Sequence, residues 1–242
     1  MKKTSLKIAA LLLVAGSAQA ATITQTHTIA AHGPGSTLDP WTDAWSFNQF
    51  DTQGGVRTLN SIRVQFTLQA WGGYIGSDND GSTTANGDIS LDVNGRLTSS
   101  DVTLQNTSKN FIWDNILIRQ RSTVNLAVND GDGTGYQADG TDWNLLSGPV
   151  EESANSTSAD GYIRSTLFAD YIGASTFSMN FTSTQVQNLL SGGSVESVIS
   201  PQSAKGLVSI TYDYTQIPEP ASASMAILVL IAGFWVRRRF ID

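Results

Sequence analysis

Cysteine is absent from this chain of 242 residues. No disulfide can staple the fold, and thiol nucleophiles, iron–sulfur clusters and thiolate zinc sites are all excluded. Histidine is nearly absent. His27 and His32 are the two in the chain, and both lie close to the start of the expected mature protein. A Ser–His–Asp arrangement would need one of them held rigidly. No Gly-x-Ser-x-Gly elbow and no His-Glu-x-x-His pattern occurs. Two histidines five apart on an edge segment are expected to face solvent. Charge is sparse at 14%. Long apolar runs are confined to the two ends.

The basic residues are also few where they would matter. Of 21 acidic residues, all but Glu219 and Asp242 lie between residues 21 and 217, which leaves 19 there. Of 14 basic residues, Lys2, Lys3, Lys7 and Arg237, Arg238, Arg239 lie outside that span, which leaves 8 and a net charge of −11. Such a body repels nucleic-acid phosphates and anionic lipid and tolerates cations or neutral glycans. Simple solubility is the plainer use of the same charge. The 40% hydrophobic content is enough for a core.

Both ends carry export features. Lys2, Lys3 and Lys7 precede an apolar stretch from Ile8 to Gly16, and Ala18-Gln19-Ala20 is a small-x-small site. That order marks residues 1–20 as a signal peptide, cleaved before Ala21. At the other end, Pro218-Glu219-Pro220 precedes an apolar run from Ala221 to Val236, then Arg237-Arg238-Arg239. A helix of that run reaches about 24 Å against a hydrocarbon core of about 30 Å. It is a short transmembrane helix. Trp235 suits the interface, and the three arginines suit the cytoplasmic headgroups. The domain would then face outward.

The tail resembles a PEP-CTERM sorting signal in its order of Pro-Glu-Pro, apolar segment with Gly233, and arginine cluster. The resemblance implies an exosortase as partner, an inner-membrane tether before processing, and delivery to the cell surface or the exopolysaccharide matrix of a biofilm. It implies sorting only. The body, residues 21–217, resembles the choice-of-anchor E domain in Phe47-Asn48-Gln49-Phe50-Asp51, Gly55-Val56-Arg57-Thr58-Leu59 and the closing Val208 to Tyr214. That resemblance implies an anchored surface domain and carries no catalytic residues.

Within the body, Ile62, Val64, Phe66, Leu68 and Ala70 alternate with polar residues. A period of two places one face in a core. The pattern recurs at Ile89–Val93, Val124–Val128, Phe177–Phe181 and Val208–Tyr214, with shorter runs at Thr22–Ile29, Trp45–Phe50, Val102–Leu104 and Ile116–Ile118. An all-β, antiparallel β-sandwich is expected. Thr184–Leu190 reads as one short helix capped by Thr184. The spans Gly72–Gly87 and Asp130–Gly161 read as long loops, which are commonly functional.

Those loops hold the site-like residues. Asp78-Asn79-Asp80-Gly81 and Asp130-Gly131-Asp132-Gly133 resemble the opening of a calcium loop, with Asp78, Asp80, Asp130 and Asp132 as oxygen donors and Asp88, Asp139 and Asp142 as further candidates. An EF-hand would need Glu where Ile89 or Thr141 stands. Ordinary turn chemistry uses the same residues. Trp41, Trp45, Trp71, Tyr74, Trp113, Tyr136 and Trp143 offer faces for sugars, but Trp41 and Trp45 are spaced like one helical turn packed on a core. Glu151-Glu152 point apart in an extended chain and make no glycosidase pair. The expected function is structural or binding work in the matrix, not catalysis. A calcium-dependent carbohydrate-binding module and a polysaccharide-degrading enzyme are the alternatives.

Overall fold

The structure, a computed structural model, describes residues 18–28, 40–131, 136–151, 156–190, 192 and 194–217. Its strands are β1 (Gln19–Thr28), β2 (Trp41–Asn48), β3 (Arg57–Trp71), β4 (Tyr74–Asn79), β5 (Ala85–Thr98), β6 (Ile116–Leu126), β7 (Trp143–Ser147), β8 (Ser156–Tyr162), β9 (Thr176–Asn188), β10 (Val195–Ser200) and β11 (Ser203–Gln216). A four-residue helix, α1, spans Phe168–Tyr171. Three sheets result, in the orders β1-β11-β3-β8, β2-β9-β5-β6 and β10-β4-β7. Every strand pair in them is antiparallel.

The alternation in β3 does what its period requires. Ile62, Val64, Phe66, Leu68 and Ala70 are fully buried. Val208, Ile210 and Tyr212 of β11 join them, and Val93, Leu97, Ile118, Phe177, Met179 and Phe181 close the same core from the second sheet. Each such side chain contributes about 1.5–3 kcal/mol on leaving water. The two sheets approach closely at Gly95. A Cβ there would stand 3.1 Å from both Leu68 and Phe66. A second core of Ile75, Ile89, Leu91, Val124, Leu126 and Leu190 lies under the small sheet.

The two cores follow one another along a single ladder. β11 pairs with β3 from Gln216↔Arg57 to Ser203↔Trp71. The pairing breaks at Gly72-Gly73 and Pro201-Gln202, then resumes from Ser200↔Tyr74 to Val195↔Asn79. Both glycines have positive φ, 65° and 71°, a conformation that favours glycine. The small sheet is therefore the far end of the ladder, away from Gln216.

Several sequence expectations change. Thr184–Leu190 is not a helix. β9 runs on to Asn188 because β5 offers it a partner strand, with Thr184↔Asn94 through Asn188↔Ser90. Tertiary pairing outweighs a weak local propensity. Val102 and Leu104 are buried but lie outside any strand. There Ser99 Oγ accepts the N–H groups of Asp101 and Val102, both at 3.1 Å, and turns the chain. Ile116–Ile118 and Val124–Val128 are one strand, β6, that stops at Leu126. The loop expected over Gly72–Gly87 contains β4 and the start of β5, and that over Asp130–Gly161 contains β7 and most of β8. Trp41 and Trp45 sit on β2, not on a helical turn. Residues four apart share a face in a strand as well.

Candidate functional site

The acidic residues expected in loops divide into two groups. Asp78 belongs to β4 and is fully buried. Its Oδ2 accepts the Gln137 N–H at 2.6 Å. Asp142, one residue before β7, is 1% exposed. Its Oδ2 accepts the Asp130 N–H at 2.9 Å, and its main-chain carbonyl accepts the Asn79 N–H at 3.0 Å. The remaining oxygen of each, Asp78 Oδ1 and Asp142 Oδ1, is buried with no hydrogen-bond partner. Gly140 lets Asp130 close in, since a Cβ at Gly140 would fall on Asp130 Oδ2 and lie 3.0 Å from Asp142 Oδ1.

This arrangement is electrostatically costly. Burial is the main cause that pushes the Asp78 carboxyl above the usual carboxylate range, and the charges of Asp142 and Asp80 add to it; the Gln137 N–H acts the other way. No Lys or Arg occurs between residues 72 and 95 or between 122 and 163, so neither segment supplies a countercharge. Asp80 is half-buried and receives a 3.5 Å hydrogen bond from Asn129 Nδ2. Asp130 and Asp139 are exposed. Asp132 lies outside the described residues. Asp88 stands elsewhere, on the exposed face of β5, where it accepts the Thr123 hydroxyl at 2.7 Å. Asn79 acts as a clasp, not a donor to a loop ion. Its Nδ2 donates to the carbonyls of Thr83 and Ala127, and its Oδ1 accepts the Gly81 N–H at 3.1 Å. Among the described residues, no three His, Cys, Asp or Glu side chains are grouped so as to hold a metal ion.

Three of the seven aromatic candidates, Trp41, Trp45 and Trp113, pack into the larger core, Tyr74 is exposed, and Trp71, Tyr136 and Trp143 are half-buried. Trp113 is fully buried and donates from Nε1 to the Val64 carbonyl at 3.2 Å. Trp41 packs edge-on against Phe181, 5.2 Å between ring centres, and Trp45 stacks on the same ring at 6.2 Å. His27 also faces inward, contrary to the solvent-facing expectation. Its ring meets Phe47 edge-on at 4.7 Å and lies parallel to Trp45 at 6.4 Å, because the alternation of β1 turns it to the side of Ile23 and Gln25. His32 lies outside the described residues. Tyr136 is half-buried, with its hydroxyl where a Cβ of residue 76 would be, so Gly76 makes room for it.

A groove of about 500 Å³ is lined by Arg96, Asp101, Thr103, Phe111, Trp113 and Asp114 among others. Phe111 is 56% exposed there, and Arg96 pairs with Asp114. Asp101 is held below the usual carboxylate range, first by the Ser178 N–H and then by the Ser100 hydroxyl. Sequence patterning passes over Phe111, because a lone aromatic between Asn110 and Ile112 belongs to no periodic run.

The sorting residues Pro218, Glu219, Pro220, Arg237, Arg238 and Arg239 lie outside the described residues, as do the leader residues 1–17. Among the described residues, no helix is long and apolar enough to cross a membrane. No family model matches the chain, and no curated protein does. Solved viral structures show a distant likeness. A Desmodium yellow mottle tymovirus structure aligns at 10% identity over 90% of this chain and 95% of that one, with a TM-score of 0.23. An infectious bursal disease virus Gx strain structure aligns at 12% identity over 100% of this chain and 54% of that one, with a TM-score of 0.18. Likenesses this slight carry no weight for fold or function.

Proposed function

We propose that this protein is an exported β-sandwich domain, preceded by a signal helix at residues 1–20 and followed by a sorting tail with a transmembrane helix at 218–242. An exosortase processes it, and it serves as a structural or binding component of the cell surface or exopolysaccharide matrix. The observation that carries this reading is where the folded body stops. β11 pairs with β1 up to Gln216↔Gln19, and the Ile217 N–H donates to the Val56 carbonyl at 2.8 Å. Pro218 follows at once. In the sequence the Pro-Glu-Pro begins two residues after Gln216, the last residue of β11, so cleavage there would leave every strand whole. The small sheet, at the other end of the ladder, is the part best placed to meet partners away from the membrane.

Intact mass spectrometry of protein recovered from the cell surface tests this reading. The expected species begins at Ala21 and ends close to Pro218–Pro220. Recovery from the cytosol with both ends uncut would overturn it.

A further inference from the structure

We propose that the groove beside Phe111 binds a neutral saccharide, with the Phe111 ring against a sugar face and Arg96, Asp101 and Asp114 at its hydroxyls. A single exposed apolar side chain is ordinary on a protein surface. Phe111 differs in what holds it. It opens a turn closed by the Asp114 N–H, which donates to the Phe111 carbonyl at 3.2 Å. Two residues on, Trp113 is fully buried and tied to the Val64 carbonyl. Just before the turn, Asn106 Oδ1 accepts the N–H groups of Ser108 and Asn110 at 3.0 and 2.9 Å. The segment that carries this exposed ring is therefore fixed on both sides of it. An aromatic side chain on a fixed turn has little conformational freedom left to lose on binding.

The other end of the same connection, next to β5, is pinned as well. The Ser99 hydroxyl donates to the Ser178 carbonyl at 2.6 Å, and Asp101 Oδ2 accepts the Ser178 N–H at 2.7 Å. Asp101 is thereby kept ionised while it remains exposed, so its oxygens can accept hydroxyl donors. Arg96 and Asp114 form an exposed ion pair. Such a pair contributes little to stability, so its donors and acceptors can turn to a ligand at small cost.

The class of ligand follows from the lining. A volume of about 500 Å³ lies within the range of small-ligand sites. Arg96 stands against Asp101 and Asp114 in that lining, and the body at large is acidic, so an anionic polymer is repelled. Val102, Leu104 and the buried Trp113 make the remainder apolar. A sugar ring presents C–H groups on its face and hydroxyls at its edge. Those C–H groups suit the electron-rich face of an aromatic ring, and the hydroxyls answer the three charged side chains, which a wholly apolar ligand would leave unpaired. The groove lies at the Thr98 end of β5, away from the second core. The proposal rests on the reading of a matrix component for the source of the saccharide, but the binding itself does not depend on how the chain is sorted.

The full chain, purified in a detergent without a sugar headgroup such as lauryldimethylamine oxide, is immobilised and titrated by biolayer interferometry. The probes are a soluble β-glucan, a mannan and a galactan, with alginate as the anionic polymer and carboxymethylated casein as the unfolded polypeptide. Saturable binding to at least one of the three neutral polysaccharides is expected, and it should persist in 0.5 M NaCl, where attraction between exposed charges is screened to about 4 Å. Phe111→Ala should weaken it at least about tenfold, Phe111→Trp should keep it within about threefold, and Val186→Ala, at an exposed apolar residue outside the groove, should leave it unchanged. No binding to any neutral polysaccharide would overturn the proposal, as would unaltered affinity in Phe111→Ala. Preference for alginate would put an anionic ligand in its place, and preference for casein a peptide. If Phe111→Ala does not fold, Arg96→Ala decides, and unaltered affinity in that variant sinks the site. A missorted protein that still binds would separate this proposal from the failure of the sorting one.

Discussion

Trp113 reaches across the core to Val64. Its indole N–H donates to the main-chain carbonyl of a central β3 residue at 3.2 Å, with both residues fully buried. The contact joins the segment between β5 and β6 to the first sheet, and the Leu97 N–H donates to the Trp113 carbonyl at 2.8 Å on the other side. One residue thus links both faces of the larger core.

Removing that link has a graded cost. Trp113→Phe keeps most of the bulk but loses the donor, for an expected loss of about 1–2 kcal/mol. Trp113→Ala adds a cavity and should cost about 3–5 kcal/mol. Urea melts of the two variants check this. A Trp113→Phe midpoint equal to that of the parent would contradict the role of the hydrogen bond.

Gly148 is the tightest backbone position at the junction between the sheets. Its N–H donates to the Gly73 carbonyl at 2.9 Å, and the Gly72 N–H donates to the Pro149 carbonyl at 2.7 Å. A Cβ at residue 148 would fall on the Gly72 carbonyl oxygen, an atom that cannot swing away. Gly148→Ala should lose about 1–3 kcal/mol by overpacking. Gly131→Ala is the useful contrast, since no atom stands near its Cβ position and only the strain of its positive φ, 94°, acts against it. Thermal melts that rank Gly148→Ala as the milder change would show that the junction yields.

Asp78 gives a pH dependence of a definite sign. Its carboxyl is raised by burial, so folding favours the protonated form. Stability from this group is full below the ordinary carboxylate pKa and is lost as pH rises through the higher folded value. At neutral pH, Asp78→Asn should therefore melt at or above the parent, because the amide oxygen can still accept the Gln137 N–H. The gap should close as pH falls. A variant less stable than the parent at neutral pH and equally so in acid would count against the desolvation argument.

Truncation after Ile217 should leave the domain intact. β11 is complete at Gln216, and the proposed cleavage before Ala21 would trim Gln19 and Ala20 from the end of β1 while leaving Ala21↔Tyr214 through Thr28↔Leu207 paired. The 21–217 fragment should melt within about 2–4 °C of the full chain, the shift expected from about 1 kcal/mol in a domain of this size. A far lower melting point would mean that the tail packs on the body.

The exposed ion pair between Arg63 and Asp160 should matter little. Both side chains are well solvated, and such pairs contribute about 0–1 kcal/mol. Arg63→Ala should shift the urea midpoint by no more than that. A loss above about 2 kcal/mol would show that Arg63 does more than pair with Asp160.

Much of the β architecture was legible from local pattern. Alternation alone places the buried face of the strand through Ile62 and Ala70, and of the cores of β5, β9 and β11, because it is a property of the pleat itself. β4 escaped notice, since Ile75 is its lone large buried apolar residue and its polar Ser77, Asp78 and Asn79 are buried too. Buried polar residues imitate a loop in any hydrophobicity pattern. Thr184 to Asn188 imitated a helix for the reverse reason, being a polar strand end stabilised by its neighbour. Nothing in the spacing of the buried Asp78 and Asp142 distinguishes them from Asp88, which is exposed and accepts the Thr123 hydroxyl.

Some properties of this protein follow from residue types alone. A chain without cysteine has no thiolate chemistry, and a strand that alternates has one face for oil and one for water wherever it ends up. Partnership is different. That β4 continues the ladder of β3 and sets Asp78 opposite Trp143, 65 positions later, depends on strand register and on a two-glycine break. Register is decided by contacts between distant segments, so it exists only once the chain has folded.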